Sequence, residues 1–560
     1  MNNKERIILY ENNDKFEFNK SKTDISIEFN RVAFIFFVFF IVSIIYSIHL
    51  IHLGSKKSDN LSKNQTRITS KLQRADIVDR NGNYLAKTVS SIDIGINPTE
   101  IIDHKKLLLN LRYIFPNKDY ELIKSKLNNN KFFKFEKKIS DENYEKIMML
   151  GDKSIKPEEK LTRVYPQKNL FSHIIGQIDD DNNGISGLEK SLDDKLKKSK
   201  DIIQLTVDKD IQFLIREELI KYNQIFKAKG SAAILMDVNN GEILSLVSIP
   251  DFDPNLRANI TDIDYINRVT KGVYELGSVF KTFTLAAAFH EDIIDPDTLF
   301  KGLEKKLKCG KNTISEYDEK IPSDLTAEQI LIRSGNVGSV RIGQSLGIEA
   351  FKNFMNNLDL IDPIKFDIEE IGVPIPFNWG KCKLATTSYG HGITTTILQL
   401  ANAYSVIVNG GYKIKPTLVK KNEFIQGKKI LKNNVSEKIN PILRKIVTTK
   451  EGTASLANVA GYEVGGKTGT AQKSVLGGYS KNKVNTFASI FPTSNPKYTL
   501  VVMLDEPKTN SEYIYHYRDG SEIKYKGTPF NTAGWTSVEV VGQIIEKIGP
   551  ILATKYNEVN

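Results

Sequence analysis

Tyr274-Glu275-Leu276-Gly277-Ser278-Val279-Phe280-Lys281 is the stretch whose reading decides this 560-residue chain. Thr282-Phe283-Thr284-Leu285 and an alanine run follow it. The Gly277-Ser278 step breaks the chain, and the apolar, alanine-rich segment behind it predicts a buried helix with Ser278 at its N-terminus. Residues at i and i+3 of a helix share a face, with Cβ atoms about 5–6 Å apart, so the Lys281 amine comes within reach of the Ser278 hydroxyl. A serine hydroxyl is a weak nucleophile until a base removes its proton. A lysine serves as that base only when burial or a neighbouring cation weakens its own hold on a proton. The helix N-terminus adds N–H groups that would stabilise an oxyanion. Alone, Ser-x-x-Lys fits a plain helix cap equally well, and it recurs at Ser480/Lys483, Ser494/Lys497 and Ser521/Lys524.

Two further motifs change the weighting. Ser334-Gly335-Asn336 follows a helical pattern from Thr326 to Arg333 and precedes another from about Val337, which predicts a tight interhelical turn. Lys467-Thr468-Gly469-Thr470 is the only Lys-Thr-Gly in the chain and follows Gly465-Gly466. Gly469 there leaves a strand where a substrate backbone could approach closely. Each motif alone is an ordinary turn. Together, in this order, they resemble the Ser-x-x-Lys, Ser-x-Asn and Lys-Thr-Gly motifs of penicillin-binding proteins and serine β-lactamases.

The rest of the chain bounds the answer. Its length exceeds one ordinary domain. Hydrophobic content of 40% and charged content of 26% describe globular protein. The net charge of +11 comes from lysines scattered among acids, with no basic stripe interleaved with aromatics, so nucleic-acid binding is not expected. Cys309 and Cys382 form neither a disulfide framework nor a metal pattern, and the seven histidines make no spaced cluster. One bridge between the cysteines is compatible with an oxidising compartment, but spacing does not supply its geometry.

Val32 to Leu53 carries no Asp, Glu, Lys or Arg. About 20 such residues span a bilayer core, whereas a cleavable signal's apolar region runs to about 7–15, so a retained anchor is expected. Lys20, Lys22 and Arg31 before it and Lys56, Lys57, Lys63 and Arg67 after it leave orientation undecided by charge. Residues 1–31 show no core pattern and read as a short tail. Asn81-Gly82 between apolar stretches signals a hairpin, as does Asn239-Asn240-Gly241 between Ser231–Asp237 and Glu242–Val247. The second hairpin is expected to open a central antiparallel sheet, with Thr486–Phe491 and Tyr498–Leu504 as further strands and Thr536–Ile548 as a closing helix. Residues 105–152, rich in Lys, Asn and Glu, read as surface helices.

Arg74-Ala75-Asp76, Arg163-Val164-Tyr165-Pro166 and Gly184-Ile185-Ser186-Gly187-Leu188-Glu189 are similar to membrane-proximal pedestal motifs of class B penicillin-binding proteins, the monofunctional transpeptidases. Ala75 and the Gln167-Lys168 pair depart from glycines usual in that family. Leu276 stands where proline is usual before the nucleophile. Asp505-Glu506-Pro507 and Ala533-Gly534-Trp535 look more like the cell-division branch than the elongation branch, although Thr536-Ser537-Val538-Glu539 departs from it. His391, in Tyr389-Gly390-His391-Gly392, reads as structural, since the family uses no histidine there.

The resemblance implies an α+β multidomain protein. Its parts are a cytoplasmic tail (1–31), a single transmembrane helix (32–53), an elongated periplasmic pedestal, or dimerisation, domain (54–225), and a serine β-lactamase-like α/β transpeptidase sandwich (226–560). It implies D,D-transpeptidation of septal peptidoglycan through a serine acyl-enzyme. Ser278 is the expected nucleophile, Lys281 its base and Ser334 a proton relay with Lys467 behind it. Asn336, Lys467, Thr468 and Thr470 would bind substrate, and the backbone N–H groups of Ser278 and Thr470 would form the oxyanion hole. No metal or organic cofactor is implied. Expected partners are stem peptides, β-lactams, a membrane glycosyltransferase and other division proteins. Rival readings are an elongation enzyme, a β-lactamase, against which the anchor and pedestal argue, and a penicillin-binding sensor, for whose signalling domain the tail leaves no room.

Overall fold

The computed structural model describes residues 8–12, 15–19, 27–55, 74–256, 265–310, 312–421, 423, 425–475, 478–521 and 524–556. It divides into two compact units, Met1–Leu72 and Gln73–Asn560. In the first, the apolar run forms one helix, Arg31–Ser55, which among the described residues is the one long and apolar enough to cross a membrane. The segment before it differs from the tail read in the sequence: Ile8–Asn12, Lys15–Asn19 and Ile27–Asn30 pair as a three-stranded antiparallel sheet. Residues 56–73, within the span expected of the pedestal (54–225), lie outside the described residues.

In the second unit the pedestal motifs meet at one carboxylate. Arg74 and Arg163 both bind Glu189, Arg74 Nη2 to Oε2 at 2.7 Å and Arg163 Nε to Oε1 at 2.7 Å, and all three side chains are buried. A second acid, Asp193, takes Arg74 Nη1 at 2.6 Å. Removing one member of such a cluster leaves an unpaired buried charge, which costs about 3–5 kcal/mol. Three sequence segments some 90 and 26 residues apart are therefore one structural feature. The departure at Lys168 also has a local outcome: its φ of +48° is a left-handed conformation that glycine adopts more cheaply. Asn81-Gly82 turns between Ile77–Val78 and Tyr84–Ile96, with Gly82 at φ +86° and the Asp79 carboxylate accepting from the backbone N–H of Asn81 and Asn83.

Residues 104–148 hold the expected helices, His104–Ile114, Tyr120–Asn128 and Asp141–Met148, each opened by an Asp or Ser cap. They also hold a strand the sequence did not signal, Phe133–Glu136, which pairs with the long strand Tyr84–Ile96. This part has its own small core around Ile94, Leu111 and Ile147. Other pedestal residues, from Ala75 onward, share one continuous core with later parts of the second unit, as far as Leu552.

Helix α1 (Lys209–Ile225), capped by Asp208, leads into a five-stranded antiparallel sheet. Its strands are β1 (Gly230–Asp237), β2 (Ile243–Ile249), β3 (Gly465–Val475), β4 (Gly478–Phe491) and β5 (Tyr498–Asp505), in the order β2-β1-β5-β4-β3. Every residue of β5 is buried, as expected for a strand covered on both faces. Helices α2 (Phe280–His290), α3 (Asn336–Leu346), α4 (Ile397–Val408), α5 (Asn433–Thr448) and α6 (Ser537–Tyr556) complete the sandwich. α4 packs on β1 and β5, and α6 packs on α1, β4 and β5. The closing helix runs eight residues past the expected end at Ile548. Cys309 and Cys382 are disulfide-bonded, with Cα atoms 5.5 Å apart, joining the hairpin Lys306–Ser315 to the helix Lys381–Thr387.

Candidate active site

Ser278 lies in a short 3₁₀ turn, Gly277–Val279, that feeds directly into α2. The turn is fixed from behind: Tyr404 of α4 donates from its hydroxyl to the Val279 carbonyl (3.1 Å) and exchanges a hydrogen bond with Thr282 (2.8 Å). Three glycines let backbones converge here. A Cβ at Gly390 would lie 1.9 Å from the Gly277 carbonyl oxygen, and one at Gly469 would lie 2.1 Å from the Leu276 carbonyl oxygen. Gly469 thus serves an approach by the protein's own nucleophile turn rather than, as the sequence suggested, by substrate alone. Gly277, at φ +65°, sits so close to Thr470 that a Cβ there would be 2.9 Å from its oxygen and 3.3 Å from its nitrogen. β3 is an edge strand, which leaves alternate backbone N–H groups without a strand partner. The turn that carries Ser278 therefore lies against the Thr470 backbone.

Lys281 is buried on the first turn of α2. Its amine donates to Ser334 Oγ (3.2 Å), Asn336 Oδ1 (2.6 Å) and the Ser334 carbonyl. The sequence brought this amine within reach of Ser278; among the described residues no hydrogen bond joins the two side chains, and the amine's donors go to the Ser334–Asn336 turn. Lys467 reaches the same hydroxyl from β3, 2.9 Å from Ser334 Oγ. Ser334 thus stands between two buried amines, in a left-handed backbone conformation (φ +56°) that a non-glycine residue holds at a cost and that concentrates at functional sites.

Burial sets the electrostatics. It brings the Lys281 amine down to about 7, with the Glu316 carboxylate pulling the other way. Lys467 is held well below the ordinary lysine range, by burial first and by the Lys281 ammonium second. Near neutral pH the site therefore has an amine free to accept a proton.

The remaining expected residues lie on the same strand. Thr468 Oγ1 shares a hydrogen bond with Thr453 Oγ1 at 2.7 Å, and Thr470 Oγ1 accepts from the Ala533 N–H at 2.9 Å, which ties the Ala533-Gly534-Trp535 segment to the site. Sequence reading missed two acids. Glu275 accepts from the Gly392 N–H (2.9 Å) and from the Tyr479 hydroxyl (3.0 Å), holding the Tyr389–Gly392 turn and β4 against the nucleophile turn. His391 lies in that turn, its ring stacked on Tyr389 and tilted against Tyr479, with its Nδ1 3.8 Å from Glu275. Glu316 accepts from the backbone N–H groups of Asn336 (2.7 Å) and Val337 (2.8 Å) at the start of α3. Neither acid has a motif spacing that would flag it. Among the described residues no group of His, Cys, Asp and Glu is arranged to hold a metal ion.

Residues 231–521 match the penicillin binding protein transpeptidase domain, and residues 69–224 match the penicillin-binding protein dimerisation domain. The chain is 31% identical over 499 residues to a probable peptidoglycan D,D-transpeptidase FtsI of Caulobacter vibrioides, covering 86% of this chain and 82% of that one. It is 29% identical to a probable peptidoglycan D,D-transpeptidase PenA of Neisseria meningitidis, covering 84% of each. Among solved structures, penicillin binding protein 3 of Mycobacterium tuberculosis, complexed with aztreonam, superimposes with a TM-score of 0.64 at 22% identity over 86% of this chain and 97% of that one.

Proposed function

The chain belongs to the class B penicillin-binding proteins, and on that premise we propose that its D,D-transpeptidase reaction runs through Ser278 and builds cross-links in the septal wall. The observation that carries the residue assignment is the Ser334 hydroxyl held between two buried amines, Lys281 and Lys467.

Ser278 Oγ attacks the carbonyl carbon of the penultimate D-alanine of a donor stem peptide, while the Lys281 amine takes its proton. Negative charge on the carbonyl oxygen is met by the backbone N–H groups of Ser278 and Thr470. The amide C–N bond then breaks as Ser334 passes a proton to the leaving D-alanine nitrogen, with Lys467 supplying positive potential behind it. The ester on Ser278 is attacked by an amine of a second stem peptide; a new amide forms and Ser278 recovers its proton. Lys467, Thr468 and Thr470 bind the donor's terminal carboxylate by charge-assisted hydrogen bonds, and Asn336 holds its peptide backbone. β-Lactams enter the same path because they present a strained amide in place of D-alanyl-D-alanine.

The FtsI relative supports a division role. On this reading residues 1–31 are cytoplasmic, 32–53 span the membrane, and the pedestal (54–225) and transpeptidase (226–560) domains lie outside it. There they work with a membrane glycosyltransferase and other division proteins. The test is turnover. Full-length protein given a stem pentapeptide ending in D-alanyl-D-alanine and an amine acceptor is expected to release one D-alanine per amide formed, measured by chromatography and mass spectrometry. Release of D-alanine with no amide product would overturn the transpeptidase assignment.

A further inference from the structure

We propose that Glu316 is a positioning residue for the reaction: its carboxylate fixes the Ser334–Asn336 turn against Lys281 and brings a negative charge to that buried amine. The proposal rests on the reading of Ser278 and Lys281 given above. Glu316 follows the strand Asn312–Ser315 and turns its two oxygens onto the first N–H groups of α3, Asn336 N at 2.7 Å and Val337 N at 2.8 Å. The Ser315 carbonyl accepts from Asn336 Nδ2 at 2.8 Å. Asn336 is thereby gripped at its backbone and its side-chain nitrogen, which leaves its Oδ1 aimed at Lys281 Nζ, 2.6 Å away. A carboxylate at a helix N-terminus satisfies orphan N–H groups and complements the helix dipole. Here the helix so capped begins with the residue that binds the base.

The charge matters as well as the cap. Lys281 faces Lys467 from β3, the neutral Ser334 and Asn336 from the interhelical turn, and Glu316 from the hairpin. Around Glu316 itself, the Tyr317 hydroxyl donates to the Arg333 carbonyl and the Arg333 guanidinium is drawn to Glu451 at 3.7 Å, while Asp318 is the other nearby acid on its own segment. Removing the Glu316 charge makes the Lys281 ammonium less favourable, so the amine becomes free at lower pH. Removing only the geometry leaves that titration in place and slows the chemistry.

The two effects separate in the pH profile of acylation by a fluorescent penicillin. With Glu316→Gln the acid limb is expected to move down by about one pH unit, as for loss of one nearby opposite charge. Its plateau rate is expected to fall about tenfold, as for a lost charge-assisted hydrogen bond. Glu316→Asp keeps the charge and loses reach: the limb stays at the native pH while the plateau falls. Should the glutamine variant fail to fold, an aspartate variant with both a native limb and a native plateau overturns the positioning role. A glutamine variant whose limb coincides with the native one overturns the charge role, whatever its plateau. The 13Cε signal of Lys281 in lysine-labelled protein reads the same titration without acylation. A native protein that is not acylated, yet whose Lys281 midpoint falls in the glutamine variant, refutes the nucleophile assignment while supporting this one.

Discussion

Ser278→Ala is expected to abolish both penicillin labelling and stem-peptide cross-linking. Loss of a catalytic serine costs on the order of 10⁶-fold where the rest of the site acts only through it. The protein itself should be unharmed. Ser278 is half-buried and engages in no side-chain hydrogen bond among the described residues, and its turn is held by Tyr404 and by the glycine contacts instead. Its alanine variant should therefore melt within about 0.5 kcal/mol of the native stability, the range of substitutions that break no buried contact. Intact-mass spectrometry after penicillin treatment, beside a thermal melt, checks both halves. A labelled alanine variant would remove Ser278 from the mechanism, and an unfolded one would show that the turn depends on the hydroxyl.

Lys281→Met has the second-largest expected effect, a fall of about 10²–10⁴-fold in the acylation rate, the usual contribution of a positioned general base. Methionine keeps most of the volume and removes the amine. In the native protein the rate should climb as pH rises through about 7, because burial lets Lys281 lose its proton there and only the free amine can accept one from Ser278. In the variant that limb should vanish, since no amine remains in contact with Asn336 and the Ser334 carbonyl. Lys467 gains in turn: with the neighbouring ammonium gone, one of the two causes that lower it is removed. Stopped-flow acylation from pH 5 to 9 measures this. A variant that keeps the native limb would assign it to another group, with Lys467 the first to test.

What the sequence made legible follows from distance along the chain. The three motifs were found because each is a local pattern, two at helix-opening turns and one on β3, and they meet in space as a set: Lys281 and Lys467 on one hydroxyl, Gly277 against Thr470. The two hairpins were equally local, since Gly82 and Gly241 take the positive φ their turns require. Partners that act across the fold were not legible. Glu316 lies 18 residues before Ser334 and Glu275 lies 117 residues before Gly392, and no period links either pair. The sequence brought Lys281 within reach of Ser278, but an i, i+3 rule sees one helix and not the Ser334–Asn336 turn that also engages the amine. The convergence of Arg74, Arg163 and Glu189 was hidden for the same reason, although each segment had been singled out. The Cys309–Cys382 bond is a matter of tertiary approach over 73 residues, which spacing does not encode.

Peptide mapping of the penicillin-treated protein shows where the acyl group goes. Trypsin releases Gly272–Lys281, Gly-Val-Tyr-Glu-Leu-Gly-Ser-Val-Phe-Lys, in which Ser278 is the only serine. The predicted result is a lasting mass increase, equal to one intact drug molecule, confined to this peptide and fragmenting at Ser278. In the acylated protein cleavage after Lys281 also tests that the lysine itself is unmodified. An adduct on any other peptide, or rapid release of hydrolysed drug with no lasting adduct, would contradict the claim that Ser278 is the acylated residue of a transpeptidase.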